Sequence, residues 1–220
     1  MDSDQRRSLA RAALAGYVDG PDAAVEPTRR ALERMHNAGA VVLVEGVSDQ
    51  IAVETLAVRN GRDLDREGVV VLPIGGAHGV GVYLRRFGPA GADLQIAGLC
   101  DAAEVPVVSR ALRRAGMGAI EDRDNLARAR FYVCDEDLED ELIRAAGVPH
   151  VLDVFATNGD IGSFRTMQRQ PAWRERPIEA QVRRFLGAGA RRKLRYARLL
   201  TDAVPDDNVP LPLASVLAAV

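Results

Sequence analysis

Glu45 and Asp101 each stand where an apolar run of the sequence stops. A carboxylate so placed can ligate a divalent cation, because hard oxygen ligands hold magnesium while it keeps waters and substrate phosphates. Ala40-Val41-Val42-Leu43-Val44 leads into Glu45, and Leu94-Gln95-Ile96-Ala97-Gly98-Leu99-Cys100 leads into Asp101. Continuous runs of this kind read as strands buried on both faces. In open α/β sheets ligands gather beyond the carboxyl ends of the strands, so the two carboxylates are expected at one edge. Asp49 follows Glu45 by one helical turn and faces the same space. Gly46 lets the chain turn sharply or approach a ligand, and Ser48 or Asp49 suits the cap of a helix continuing through Ile51, Val53 and Leu56. Asp137 and Glu139 come after another apolar run that ends at Cys134. They are either further metal ligands or a capped, solvated helix start, since acidic residues favour first turns.

The basic residues are arginines with one exception, Lys193. An ammonium is a compact point charge suited to stabilising charge on a phosphate in transit, which a planar guanidinium does less readily. The other reading is an exposed helix lysine. Arg183, Arg184, Arg191, Arg192, Arg195 and Arg198 surround it in sequence and present much of a helical surface to a polyanion. No aromatic residue interleaves with them as a base-stacking platform requires, so sequence-specific readout has no support. Gly75-Gly76-Ala77-His78-Gly79-Val80-Gly81 does not meet the Gly-x-Gly-x-x-Gly order; its amides are candidates for phosphate contact at Gly76, or the glycines simply permit a tight strand-to-helix turn. No Ser-His-Asp or Cys-His arrangement can be assembled.

At 220 residues the chain can bury one good core with a helical appendage. A formal net charge of -2 gives no global pull toward nucleic acid or membrane, so any polyanion site must be local. Cys100 and Cys134 end strand-like runs without metal-ligand spacing and read as reduced core residues. No stretch is long and apolar enough for a membrane span, and a cytoplasmic location is expected. Residues 1–38 carry two helical patterns, with Leu9, Ala12, Ala13 and Tyr17 on one face and Ala31, Leu32 and Met35 on the next. Residues 39–152 alternate strands at 40–45, 69–74, 94–100 and 130–134 with helices at 49–60, 78–87, 104–115 and 137–146. That order predicts a mainly parallel, Rossmann-like sheet flanked by helices. Residues 153–220 form a basic helical extension ending in an apolar tail, Val209 to Val220, expected to cover the core; a homodimer surface is its other use.

Val44-Glu45-Gly46-x-x-Asp49, Ile74-Gly75-Gly76 and Asp101, in this order, resemble the TOPRIM domain over about residues 40–145. Asp137-Leu138-Glu139 and the helix around Lys193 make the chain most similar to the nuclease domain of the OLD (overcoming lysogenization defect) family. The resemblance implies magnesium or manganese at Glu45, Asp49, Asp101, Glu104, Asp137 and Glu139. It gives catalytic roles to Glu45, Asp101 and Lys193. The nucleic acid, expected to be DNA, is expected to contact Gly76 and, from the basic clustering, Arg191, Arg192 and Arg195. OLD proteins usually carry an ATPase domain ahead of this module; with no Gly-x-x-x-x-Gly-Lys-Ser/Thr in the sequence, a stand-alone module is expected, with an ATPase supplied in trans as a candidate partner. TOPRIM domains usually carry Asp-x-Asp, whereas Ala103 occupies the third position here and Glu104 follows. Two functions therefore stand: a metal-dependent DNA endonuclease or nickase working by two-metal hydrolysis, and a non-catalytic TOPRIM module binding nucleic acid or an ATPase.

Overall fold

The computed structural model describes residues 25–220. Four strands, β1 (Ala40–Val44), β2 (Val69–Pro73), β3 (Gln95–Asp101) and β4 (Phe131–Cys134), form one sheet in the order β2-β1-β3-β4, with every pairing parallel. All residues of β1 and β2 are buried, as their unbroken β-branched runs require of strands covered on both faces. Helix α1 (Glu26–Arg34) precedes the sheet and is tied to it by the Arg34 guanidinium, which donates to Val69 O at 3.2 Å. Helix α2 (Val47–Arg59) joins β1 to β2, and α3 (Val80–Phe87) joins β2 to β3. Helices α4 (Val105–Arg114) and α5 (Arg123–Arg128) lie between β3 and β4. Six helices follow: α6 (Leu138–Ala146), α7 (Val148–Thr157), α8 (Ile161–Gln168), α9 (Ile178–Leu186), α10 (Ala190–Ala203) and α11 (Leu211–Ala218).

The strands and crossover helices lie where the alternation of the sequence places them, with three corrections. Short 3-10 turns at Ala77–Gly79 and Ala102–Glu104 delay α3 and α4. Helix α5 was not foreseen, because six residues bearing a single buried apolar side chain, Leu126, show no periodicity. On α1, Ala31 is buried but Leu32 is 51% exposed, so the expected face is narrower. The earlier helical pattern through Leu9, Ala12, Ala13 and Tyr17 lies outside the described residues.

Alternate residues of β1 feed two cores. Val41 and Leu43 pack with Leu84, Leu112 and Phe131 on one face, and Val42 and Val44 pack with Leu142, Phe155 and Val216 on the other. The second core runs without a break into α7 through α11, so the boundary drawn at 152, inside α7, separates residues that share one apolar interior. At its centre Phe155 meets Phe164, Phe185 and Tyr196 with ring centroids 5.0–5.1 Å apart, a spacing at which tilted aromatic pairs attract. The Tyr196 hydroxyl donates to Asp160 Oδ2 at 2.7 Å, satisfying the polar tip of a buried ring. The apolar tail covers the core as its composition suggests: Leu213 and Val216 of α11 are fully buried. Cys100 and Cys134 are buried, unpaired thiols.

Gly98, in β3, is required by close packing: a Cβ there would lie 2.3 Å from the buried ring of Phe131 on β4. Gly98→Ala is expected to destabilise the fold by about 1–3 kcal/mol, the usual cost of overpacking. The check is urea denaturation, with a lowered midpoint, an unchanged slope and partial recovery in Gly98→Ala/Phe131→Leu; an unaltered midpoint would contradict it.

Candidate active site

The chain leaves β1 for β2 on one side, then crosses back to place β3 on the other. Beyond the carboxyl ends of β1 and β3 the crossovers diverge, leaving the crevice that open α/β sheets use for ligands. Glu45 follows β1 directly and Asp101 ends β3. The Asp101 N–H donates to Glu45 Oε1 at 3.2 Å, so the first carboxylate is aimed by the backbone of the second. Asp49, in the first turn of α2, accepts from the Gly46 N–H at 2.8 Å. Gly46 itself is extended, with φ -142°, a conformation open to any residue. The sharp turn is therefore absent; Gly46 instead lines the cavity, where a Cβ would meet Asp49 and Ser48 only at ordinary contact distances of 3.7 and 4.0 Å.

Glu45, Asp49, Asp101, Asp137, Glu139 and Lys193 line one cavity of about 220 Å³, with Gly46, Ser48, Gly76 and Leu138 completing the wall. Asp137 caps α6, accepting from the Asp140 N–H at 2.8 Å through Oδ1, while Oδ2 pairs with Arg183. The capping reading of this residue holds, and the same side chain lines the cavity. Lys193 Nζ reaches Glu139 Oε1 at 2.8 Å. Ser48 and Leu138 were not foreseen, since neither type announces a role. Glu104 does not line the cavity, although its charge acts on Glu45; Ala103 is exposed.

Burial pushes Asp49 up to about 7, against the pull of the Gly46 N–H and Lys193 and with the repulsion of Glu45 and Glu139. Burial also pushes Asp101 up to about 7, and Glu45, Asp49 and Asp137 add to it. Glu45 is raised by burial too, opposed by its bond to the Asp101 N–H. For Lys193 burial acts downward, but Glu139, Asp49 and Asp137 outweigh it and hold the ammonium above its ordinary range. The same burial and acidic surroundings push Cys100 up to about 12, which removes it as a nucleophile.

Such a site carries more negative charge than one lysine neutralises, and oxygen-only donors suit a hard cation. Among the described residues no three His, Cys, Asp or Glu groups stand close enough to grip one ion directly. Glu45, Asp49 and Asp137 each accept from a backbone amide, and Asp137 also pairs with Arg183. The donor set fits a magnesium-sized ion that retains several of its waters.

The Gly76 amide has a different use from phosphate contact. Gly75 and Gly76 adopt φ 73° and 98°, which glycine alone tolerates readily, and the Gly76 N–H donates to Glu45 O at 3.0 Å. Of the arginines assigned to nucleic acid, Arg191 is exposed. Arg195 is held by Asp160 Oδ2 and Asn158 Oδ1, each at 3.1 Å, so a phosphate would compete with an internal network. Arg192 lies 4.0 Å from the ring centroid of Phe185, and Arg184 lies 5.8 Å from that of Trp173. Aromatic residues do interleave with the arginines, correcting the expectation of none: Phe185 follows Arg184 in α9, and Tyr196 stands between Arg195 and Arg198 in α10.

Residues 38–102 match the family model for the Overcoming lysogenization defect protein-like TOPRIM domain. These residues form a TOPRIM domain of the OLD family. The TOPRIM match covers β1 through Asp101. Solved structures agree on the fold. The C-terminal region of the Xanthomonas campestris pv. campestris OLD protein superposes with TM-score 0.62 and 21% identity, over 84% of this chain and 93% of that one. The C-terminal region of the Burkholderia pseudomallei OLD protein gives TM-score 0.59 and 20% identity, over 82% and 96%. No curated protein matches the chain. No helix among the described residues is long and apolar enough to cross a membrane.

Asp49 and Asp101 bind protons more tightly folded than unfolded, so each costs stability as pH rises from the ordinary carboxylate range near 3.8 through about 7. In chelator, the melting temperature of Asp49→Asn is expected to fall less than that of the parent between pH 5 and 8. Parallel melting curves would refute the raised value.

Proposed function

We propose that the chain is a divalent-metal-dependent nuclease that hydrolyses phosphodiester bonds in DNA. The observation that supports this best is the convergence of Glu45, Asp49, Asp101, Asp137 and Glu139 with Lys193 on one cavity beyond the strand ends of a TOPRIM domain. Magnesium or manganese held there would neutralise a scissile phosphate and help generate a hydroxide nucleophile. Glu45, Asp101 and Asp49 are the anchoring carboxylates, with Asp137 and Glu139 on the opposite wall. Lys193, kept protonated by these acids, offers its ammonium to the phosphate once a cation competes for Glu139.

A second reading has its own support. Ala103 supplies no carboxylate where TOPRIM domains usually have one, and Glu104 stands outside the cavity lining. On that reading the chain binds nucleic acid without cutting it, or serves an ATPase partner.

Nicking of supercoiled plasmid with magnesium or manganese distinguishes the two. Cleavage is expected to stop with chelator and in Glu45→Gln, and to fall about 10²-fold or more in Lys193→Ala. A folded protein that binds metal yet leaves the plasmid intact would sink the nuclease reading and favour the binding module.

A further inference from the structure

A groove of about 660 Å³ lies in the helical extension, between α8, α9 and the start of α10. Trp173, partly exposed, and Phe185, buried as its floor, supply aromatic surface, and Arg184 and Arg192 lie over these rings. No acidic side chain lines it. Arg184 and Arg192 form no salt bridge among the described residues, whereas neighbouring Arg183 is consumed by Glu136 and Asp137, and Arg195 by Asp160. The two guanidiniums thus keep their charge for a ligand while stacking on rings, an arrangement that suits a planar, anionic guest.

Position sets the kind of guest. Arg183 pairs with Asp137 at the rim of the acidic cavity, and the next residue, Arg184, lines the groove. Lys193 lines the cavity, and the preceding residue, Arg192, lines the groove. Consecutive Cα atoms are about 3.8 Å apart, so α9 and the start of α10 each present neighbouring residues to the cavity and to the groove. One flexible strand can occupy both.

We propose that this groove binds an unpaired nucleotide of a single DNA strand, stacking its base against Trp173 and Arg184 while Arg192 meets a phosphate. The inference deepens the nuclease reading and rests on it for the identity of the strand. It names the substrate class as DNA with an unpaired segment beside the scissile bond. Paired bases in a duplex keep their faces covered, so the groove discriminates against them. First-turn residues Gly162 and Ser163 of α8 add the positive end of that helix to the same wall.

Trp173 is the sole tryptophan, so its fluorescence reports on the groove alone. The test titrates the full chain, in chelator, with a short single-stranded oligodeoxynucleotide, the same sequence as duplex, and inorganic polyphosphate. The single strand is expected to quench the emission saturably and to bind at least about tenfold more tightly than the duplex. Ser163→Glu, which puts an acid into the groove where a helix start tolerates one, and Arg184→Ala/Arg192→Ala should each weaken binding by about tenfold or more with circular dichroism unchanged. Absence of quenching, equal quenching by duplex or polyphosphate, or indifference to both variants would overturn the proposal. Because no metal is present, the result is independent of cleavage. Quenching without plasmid nicking leaves the groove standing and the nuclease reading fallen, and nicking without quenching does the reverse.

Discussion

Everything at the acidic cavity depends on the burial of α2 between the sheet and α10. Nine of its thirteen residues are buried, including Gln50, Glu54 and Thr55, which marks a central helix and not a surface one. Ile51 packs against Leu194 and Ala197 near the start of both helices, and Arg59 donates to Thr201 O at 2.7 Å near their ends. The two helices therefore run side by side in the same direction. This sets the first turn of α10, with Lys193, level with the first turn of α2, with Asp49. A long-range ionic arrangement thus follows from apolar packing that is local to one helix pair.

The extension holds its half of the site by equally ordinary means. The Phe155, Phe164, Phe185 and Tyr196 cluster locks α7 to α10 into one body, and Arg183 ties that body to the cap of α6. Stability and charge conflict only at the cavity itself. Asp49 and Asp101 sit where burial and neighbouring acids oppose ionisation, a cost that structural carboxylates normally escape by pairing. Strongly perturbed acids in a cleft are a mark of functional sites.

Much of this was legible in the sequence, for identifiable reasons. A strand buried on both faces announces itself by its unbroken run, and its last residue is then fixed at the sheet edge; Glu45 and Asp101 could be located in that way. Lys193 stood out by being the only lysine. What could not be read were contacts made by the backbone or by residues far apart in the chain. Gly76 resembled a phosphate-binding amide, but its N–H is spent on the Glu45 carbonyl. Trp173 stands in the turn after α8 and meets Arg184 only once that turn folds back onto α9. The short α5 and the capping turns left no periodic signal, and the extended backbone at Gly46 gave its glycine no conformational need.

Glu45 is restrained in three ways. Its carbonyl accepts from Gly76, its side chain accepts from the amide of Asp101, and the preceding residue, Val44, accepts from Ile74 at 2.9 Å. An unrestrained glutamate would lose rotamer freedom on gripping a ligand, at a cost of up to about 1.5–2 kcal/mol. Here most of that ordering happens during folding, long before any ligand arrives. The residue behaves less like a flexible arm than like a fixed post, and on the far side of the cavity a ligand meets Asp137 and Glu139 already engaged with Arg183 and Lys193.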